Sequence, residues 1–506
     1  MKKVSLVLLF TIFILGIFLR FRYIYPDRIV FGYDQIINVF DARKIVDNHD
    51  LIVQQVTPNA LGLNHGVLWD YFLSIPYFLG GGNPMFIAYW YAFINAIAII
   101  SVFFFSYYLF HSWPAALASS FITAVSYNMI LIAGWISNTT VVLYLMPLFF
   151  LGFWLYRKGR SWGLPLSSFL LGLFIQSQML MVYNFATVIV LWLVFKLKRP
   201  SLKTTALSLF SFLAAASTMI IVEVRTGFSS LNAILKPTGV LDESSVSFLS
   251  RLGLFSKGFL STFSQNLTSS LSTFGILIAV VIILVIIRYV FNSKLKSEER
   301  NALKLLTIFL FCPIFMLFIG YHDKPWTLLG MVPAVFVAFG YVVTKIPSFP
   351  PRILVLSLFF YLNMAGFVQG LTKGELFIAQ EPSSTLKGQL AVLDYTYRSS
   401  NGKEFAINSV NYPLYENTFW SYHYLWYGLK KFGYLPSWSG GDQLYPYNTL
   451  QKSSGKEKIF YMITDETGSI PEIYREIGRK WGFKYGKLLE EKLIGGFTVQ
   501  RFERFN

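Results

Sequence analysis

The sequence predicts a polytopic α-helical membrane protein of about eleven transmembrane helices, followed by a small α/β domain outside the membrane. Three observations carry this. Mean hydropathy is +0.52 and only 14% of the residues are charged, too apolar for a soluble protein. Apolar stretches of about 20 residues, the length a helix needs to cross a bilayer, recur as far as Leu371. Beyond Leu371 the chain turns polar, with dispersed charges, Gly and Pro.

The apolar stretches fall at 4–21, 84–110, 114–134, 138–156, 162–178, 180–196, 203–224, 272–291, 302–321, 325–344 and 351–371. The first follows Met1-Lys2-Lys3 and runs into Arg20-Phe21-Arg22-Tyr23, with no small-residue cleavage site. It reads as an uncleaved signal anchor, with Arg20 and Arg22 anchoring its outer end.

Lys and Arg orient the spans. With the N-terminus in the cytoplasm, the inner segments collect sixteen basic residues, from Lys2 to Arg352, against Glu298 and Glu299. Topology thus accounts for most of the +17 net charge, and no nucleic-acid motif accompanies it. The outer segments are a loop at 22–83, a loop at 225–271 and everything after 372. The expected organisation is a membrane domain at 1–371 and an extracytoplasmic α/β domain at 372–506. In the latter, Phe405–Val410, 458–463 and 496–502 read as strands and 471–482 as a helix. The lone Cys312 excludes an intrachain disulfide and a cysteine metal site. Aromatics at 18% fit either interfacial belts or a lined cavity.

The loop at 22–83 carries Asp27, Asp34, Asp41, Asp47, Asp50 and Asp70. Residues 34–48 are compatible with a short helix. At 100° per residue, Asp34, Asn38, Asp41 and Asn48 share one sector, and Ile36, Val39, Phe40 and Val46 gather opposite. Such a helix either lies in the membrane interface with its carboxylates toward an aqueous cavity, or is a solvated surface helix whose acids do nothing. Residues 64–73 begin polar at Asn64-His65-Gly66 and end apolar, and Gly80-Gly81-Gly82-Asn83-Pro84 breaks the chain before the second span. Asn266-Leu267-Thr268 is formally a glycosylation sequon.

In that order of parts (one span, a long outer loop with an early Asp, a His-containing turn, a bundle, an outer C-terminal domain) the chain resembles the GT-C glycosyltransferases. It looks most like their protein O-mannosyltransferase and lipid A aminoarabinose-transferase branch. Phe31-Gly32-Tyr33-Asp34-Gln35 falls where that branch carries an Asp-Glu pair, with Gln35 in place of Glu. Leu63-Asn64-His65-Gly66-Val67-Leu68 sits where it has a His/Lys-Pro-Pro-Leu turn, with Gly66-Val67 in place of the prolines. Tyr321-His322-Asp323-Lys324-Pro325, then Gly330-Met331-Val332-Pro333, resembles its late outer turn.

The resemblance implies transfer of a sugar from a polyprenyl-phosphate donor to a lipid, glycan or protein acceptor on the outer face of the cell membrane. The acceptor hydroxyl needs a base, and the departing lipid phosphate needs positive charge rather than a proton. Asp34 is the candidate base, with Asp41 assisting. Lys324, His322 and His65 are the candidate phosphate contacts. Lys324 also reads as a snorkelling lysine at a span end, and His322 as an interfacial histidine. There is no Asp-x-Asp motif, and neither a metal nor another cofactor is expected. The competing classes are a lipid or polysaccharide flippase or transporter, and a membrane receptor. A carrier needs ionisable residues within its spans, and here those are nearly absent.

Overall fold

The computed structural model describes residues 3–54, 66–229, 231–232, 247–318, 324, 326–378, 382–443, 447–468 and 470–505. The chain begins with helix α1 (Lys3–Ile24), then α2 (Tyr33–Asp47) and α3 (Leu68–Gly80) of the acidic loop. The bundle continues with α4 (Pro84–Phe110), α5 (Trp113–Val125), α6 (Tyr127–Ala133), α7 (Val142–Arg157), α8 (Gly163–Ser177), α9 (Asn184–Phe195) and α10 (Leu202–Arg225). It closes with α11 (Phe248–Thr268), α12 (Thr273–Val290), α13 (Ser297–Phe311), α14 (Val332–Thr344) and α15 (Phe349–Lys373).

Among the described residues, seven helices are long and apolar enough to cross a membrane, and the bent pair of α5 and α6 makes an eighth. The stretches expected at 162–178, 180–196 and 325–344 form apolar helices too short for that test. The expected count of about eleven therefore resolves into seven or eight full-length spans and three short helices. Close backbone approach binds α7 to α8: a Cβ on Gly163 would lie 2.3 Å from the Gly152 carbonyl oxygen, so only glycine admits this contact.

The turn from α5 to α6 bends by 56° at Ser126, and the break frees carbonyls at the end of α5. Arg20 satisfies them. Its side chain is fully buried and donates to the Ala124 and Thr123 carbonyls at 3.2 and 3.3 Å, to Gly16 at 3.0 Å and to the Asn95 amide oxygen at 2.9 Å. A cation at a helix C-terminus also meets the negative end of its dipole. Arg20 is thus a structural cap inside the bundle, not the interfacial anchor the sequence suggested. Arg22 is exposed. From the other side, the Asn363 side chain accepts from the Tyr127 N–H at 2.9 Å, and the Ser126 hydroxyl donates to the Asn266 carbonyl at 2.8 Å. Asn266, the sequon asparagine, is fully buried.

The C-terminal segment adds α16 (Leu386–Ser399), β1 (Phe405–Val410), α17 (Thr418–His423), α18 (Leu429–Phe432), β2 (Ser437–Trp438), β3 (Ile459–Asp465), α19 (Glu472–Gly482), β4 (Gly486–Ile494) and β5 (Phe497–Arg504). The strands form one mixed sheet in the order β2-β1-β3-β5-β4. β2, β1 and β3 run parallel, and β3, β5 and β4 antiparallel. All of β1 and nearly all of β3 are buried, because helices cover both faces. Gly495-Gly496, both at positive φ, close the β4–β5 hairpin in the two-residue turn that glycine permits.

The sheet unit does not stand apart. Phe31, Phe40, Trp69 and Tyr91, from the acidic loop and α4, share one apolar cluster with Trp420, Tyr422, Tyr424 and Tyr447. The Tyr422 hydroxyl donates to the Gly82 carbonyl at 2.5 Å. The apolar side of α2 therefore packs on protein rather than on lipid.

Candidate active site

Helix α2 starts at Gly32, and Gln35 fixes that start. Its side-chain oxygen accepts from the Gly32 N–H at 3.0 Å, and its amide donates to the Ile136 carbonyl at 3.3 Å. An ionised glutamate is an acceptor only and cannot make the second bond. Gln35, which stands where the resemblance expects a glutamate, thus ties α2 to the segment after α6. The same segment accepts the Val30 N–H at the Gly134 carbonyl, 3.3 Å, and Val30 also bridges Thr385 of the C-terminal part.

Asp34 and Asp41 lie two turns apart on one side of α2, about 10 Å along the axis, but in different surroundings. Asp41 is fully buried. Its carboxylate accepts from Lys44 Nζ at 2.6 Å and from the Tyr447 hydroxyl at 3.1 and 3.3 Å. Burial raises its pKa, and the Lys44 and Tyr447 bonds oppose that rise. Asp34 is solvent-exposed, yet dense protein around it raises its carboxyl above the usual range by desolvation. Among the described residues it has no hydrogen-bond or ion-pair partner. Beside it, burial and the Glu416 carboxylate raise the Tyr33 hydroxyl. Of the other loop acids, Asp47 pairs with Arg43 at 3.1 Å, Asp70 is fully buried and Asp50 is exposed. Asp27, half-buried, is raised by desolvation against the pull of Lys387.

Lys324 is exposed and lines a cavity of about 500 Å³ with Lys257, Gln265, Tyr127 and Glu375. The turn that Lys324 opens is closed by Thr327, whose hydroxyl and N–H both donate to the Lys324 carbonyl, at 2.8 and 3.1 Å. Lys257 was not singled out from sequence. It arises because α11 is amphipathic: Phe255, Phe259, Phe263 and Leu267 are buried along one side, while Lys257, Ser261, Thr262 and Gln265 line the cavity from another. Neither lysine has an ion-pair partner among the described residues. On the cavity wall the Tyr127 hydroxyl donates to Glu375 Oε2 at 2.7 Å.

Trp135 joins the two parts. Its backbone bridges Val30, four residues before Asp34. Its ring contacts Trp326 and Phe377, at 5.8 and 5.2 Å between centroids, and Phe377 lines the lysine cavity. Segment 134–136 thus touches both the start of α2, through Val30 and Gln35, and one residue of the cavity lining, Phe377. His65 and His322 lie outside the described residues.

This multi-pass chain shares its fold with solved GT-C membrane proteins. The apo crystal structure of ArnT from Cupriavidus metallidurans, a lipid A aminoarabinose transferase, is similar at a TM-score of 0.60 and 12% identity, covering 98% of this chain and 97% of that one. ArnT bound to undecaprenyl phosphate is similar at 0.57 and 11% identity, over 99% and 98%. No protein-family model matches the chain, and no curated protein matches it in sequence.

Proposed function

We propose that this chain is an integral-membrane glycosyltransferase. It moves a sugar from a polyprenyl-phosphate donor to a lipid, glycan or protein acceptor on the outer face of the cytoplasmic membrane. The observation that carries the reading is Asp34: an accessible carboxylate of raised pKa, unpaired among the described residues, and tied through Gln35 and Val30 to a segment whose Trp135 ring packs on Phe377 of a two-lysine cavity. Asp34 takes the acceptor's proton as the hydroxyl attacks the anomeric carbon. Lys324 and Lys257 stabilise the departing lipid phosphate electrostatically. That the similar fold of ArnT is known with undecaprenyl phosphate bound supports the donor class.

Asp41 has a different part in this reading. With its carboxylate enclosed by Lys44 and Tyr447, it assists by holding α2 against the C-terminal unit rather than by meeting substrate. The C-terminal unit caps the site from outside. The N-terminus lies in the cytoplasm and the sheet unit outside, following the Lys/Arg bias of the loops. His65 and His322 remain proposed phosphate contacts on the strength of the resemblance.

The test is sugar transfer from a polyprenyl-phosphate donor, wild type against Asp34→Asn. Loss of a general base costs roughly 10²–10⁴-fold. Undiminished transfer by Asp34→Asn removes Asp34 as the base.

A further inference from the structure

Helix α4 runs 27 residues, about 40 Å, from Pro84, beside the Gly82 contact with the sheet unit, to Phe110. At that far end the termini of α4, α7 and α14 and the start of α13 enclose a second cavity of about 590 Å³. Its charged lining is Lys158, Lys294, Lys296, Lys345, Glu298 and Glu299. The glutamates are already taken: Glu298 by Arg157 and Lys158 at 2.9 and 2.6 Å, Glu299 by Lys345 at 2.6 Å and the Tyr341 hydroxyl at 2.9 Å. Four lining cations therefore face two carboxylates, one of which also pairs with Arg157 outside the lining. Lys294 and Lys296 are exposed and, among the described residues, have no ion-pair partner.

We propose that this cavity binds the phosphate headgroup of an anionic membrane lipid, with Lys294 and Lys296 as its direct contacts and Lys158 and Lys345 behind them. Basic recesses between span ends suit such headgroups. Two further features favour a lipid over a soluble phosphate. Aromatic rings carry the cations at this level, Trp154 under Arg157 and Lys158, and Tyr341 under Lys345, which is the composition of a membrane–water interface. An adjoining recess shares Lys345 and adds Arg288 and Asn292. A row of exposed apolar side chains on and just after α12, Val281, Leu284, Ile287 and Phe291, runs at helical spacing up to it, offering acyl chains a track.

The experiment is native mass spectrometry of the full-length protein in detergent, titrated with phosphatidylglycerol or phosphatidylcholine. Wild type should retain phosphatidylglycerol preferentially. The K294Q/K296Q variant should lose about 25-fold of that preference, roughly fivefold for each lysine near an anionic headgroup. R199Q/K203Q, which removes two exposed charges just before and at the start of α10, neither lining the cavity, should keep it. Both variants should match wild type in thermal unfolding. Equal retention of the two lipids, or equal loss in both variants, overturns the proposal. So does displacement of the lipid by millimolar inorganic phosphate, which would assign the cavity to a soluble phospho-anion.

Discussion

His423 ends α17 in the aromatic cluster that fastens the sheet unit to the acidic loop, with the rings of Phe419 and Phe31 at 5.0 and 5.5 Å. It is fully buried, and neither ring nitrogen has a hydrogen-bond partner among the described residues. Burial without a partner pushes its pKa down to about 3, against an ordinary 6.5. Below pH 6.5 the unfolded chain therefore binds a proton that the folded chain refuses. Stability contributed by the neutral ring is present above pH 6.5 and is lost as pH falls from there toward 3. Between pH 7.5 and pH 5 the loss is about 2 kcal/mol, at 1.36 kcal/mol per pKa unit. His423→Leu removes this term together with two unsatisfied buried nitrogens, so the variant should be more stable by about 1–3 kcal/mol at pH 7.5 and by more at pH 5. The assay is thermal or denaturant unfolding of the full-length protein in detergent at both pH values. Other groups titrate too, so the decisive quantity is the difference between wild type and variant. If both lose the same stability between pH 7.5 and pH 5, the reasoning about His423 is wrong.

Three further outcomes are expected. Arg20→Met, similar in length but without donors, should cost roughly 3 kcal/mol, because the α5 carbonyls lose buried charge-assisted bonds; an unchanged unfolding midpoint would mean that the helix end finds other donors. Tyr447→Phe deletes the hydroxyl on Asp41 and should destabilise by about 2 kcal/mol, the scale of a hydrogen bond to a charged group, with increased proteolysis at the sheet unit's junction as the companion readout. Lys257→Gln and Lys324→Gln should each raise the KM for a polyprenyl-phosphate donor about tenfold, equivalent to 1.4 kcal/mol of phosphate binding; equal KM values would take the cavity out of the donor site.

Hydropathy located the membrane helices because lipid imposes one length and one composition on every crossing. It did not show that three of the stretches hold only short apolar helices, because breaks such as the one at Gln178 interrupt sequences as greasy as the full-length ones. β1 was legible to the residue, since Phe405-Ala406-Ile407 and Val410 stand between the polar flanks Lys403-Glu404 and Asn411. β4 was not: Lys487, Glu490, Glu491 and Lys492 sit on an exposed outermost strand, and an irregularity between Leu488 and Glu490 spoils the two-residue alternation. Helical phase put Asp34 and Asp41 on one side of α2. It could not reveal that Tyr447, 406 residues later, covers one and leaves the other open. Arg20 was misread for a similar reason. A cation at a span end ordinarily snorkels to water, and nothing nearby in sequence announces that Asn95 and the broken end of α5 offer it acceptors.

Gln35 also sets how many protons the site counts. With a glutamate there, two neighbouring carboxylates would share their titration, and protons would leave in coupled macroscopic steps belonging to the pair. The amide is electrically silent, and desolvation alone accounts for the upward shift of Asp34. Activity limited by this residue should therefore fall on its acidic side with a slope of one in log rate against pH, at a midpoint above that of an ordinary aspartate. A slope approaching two would betray a second acid acting with it.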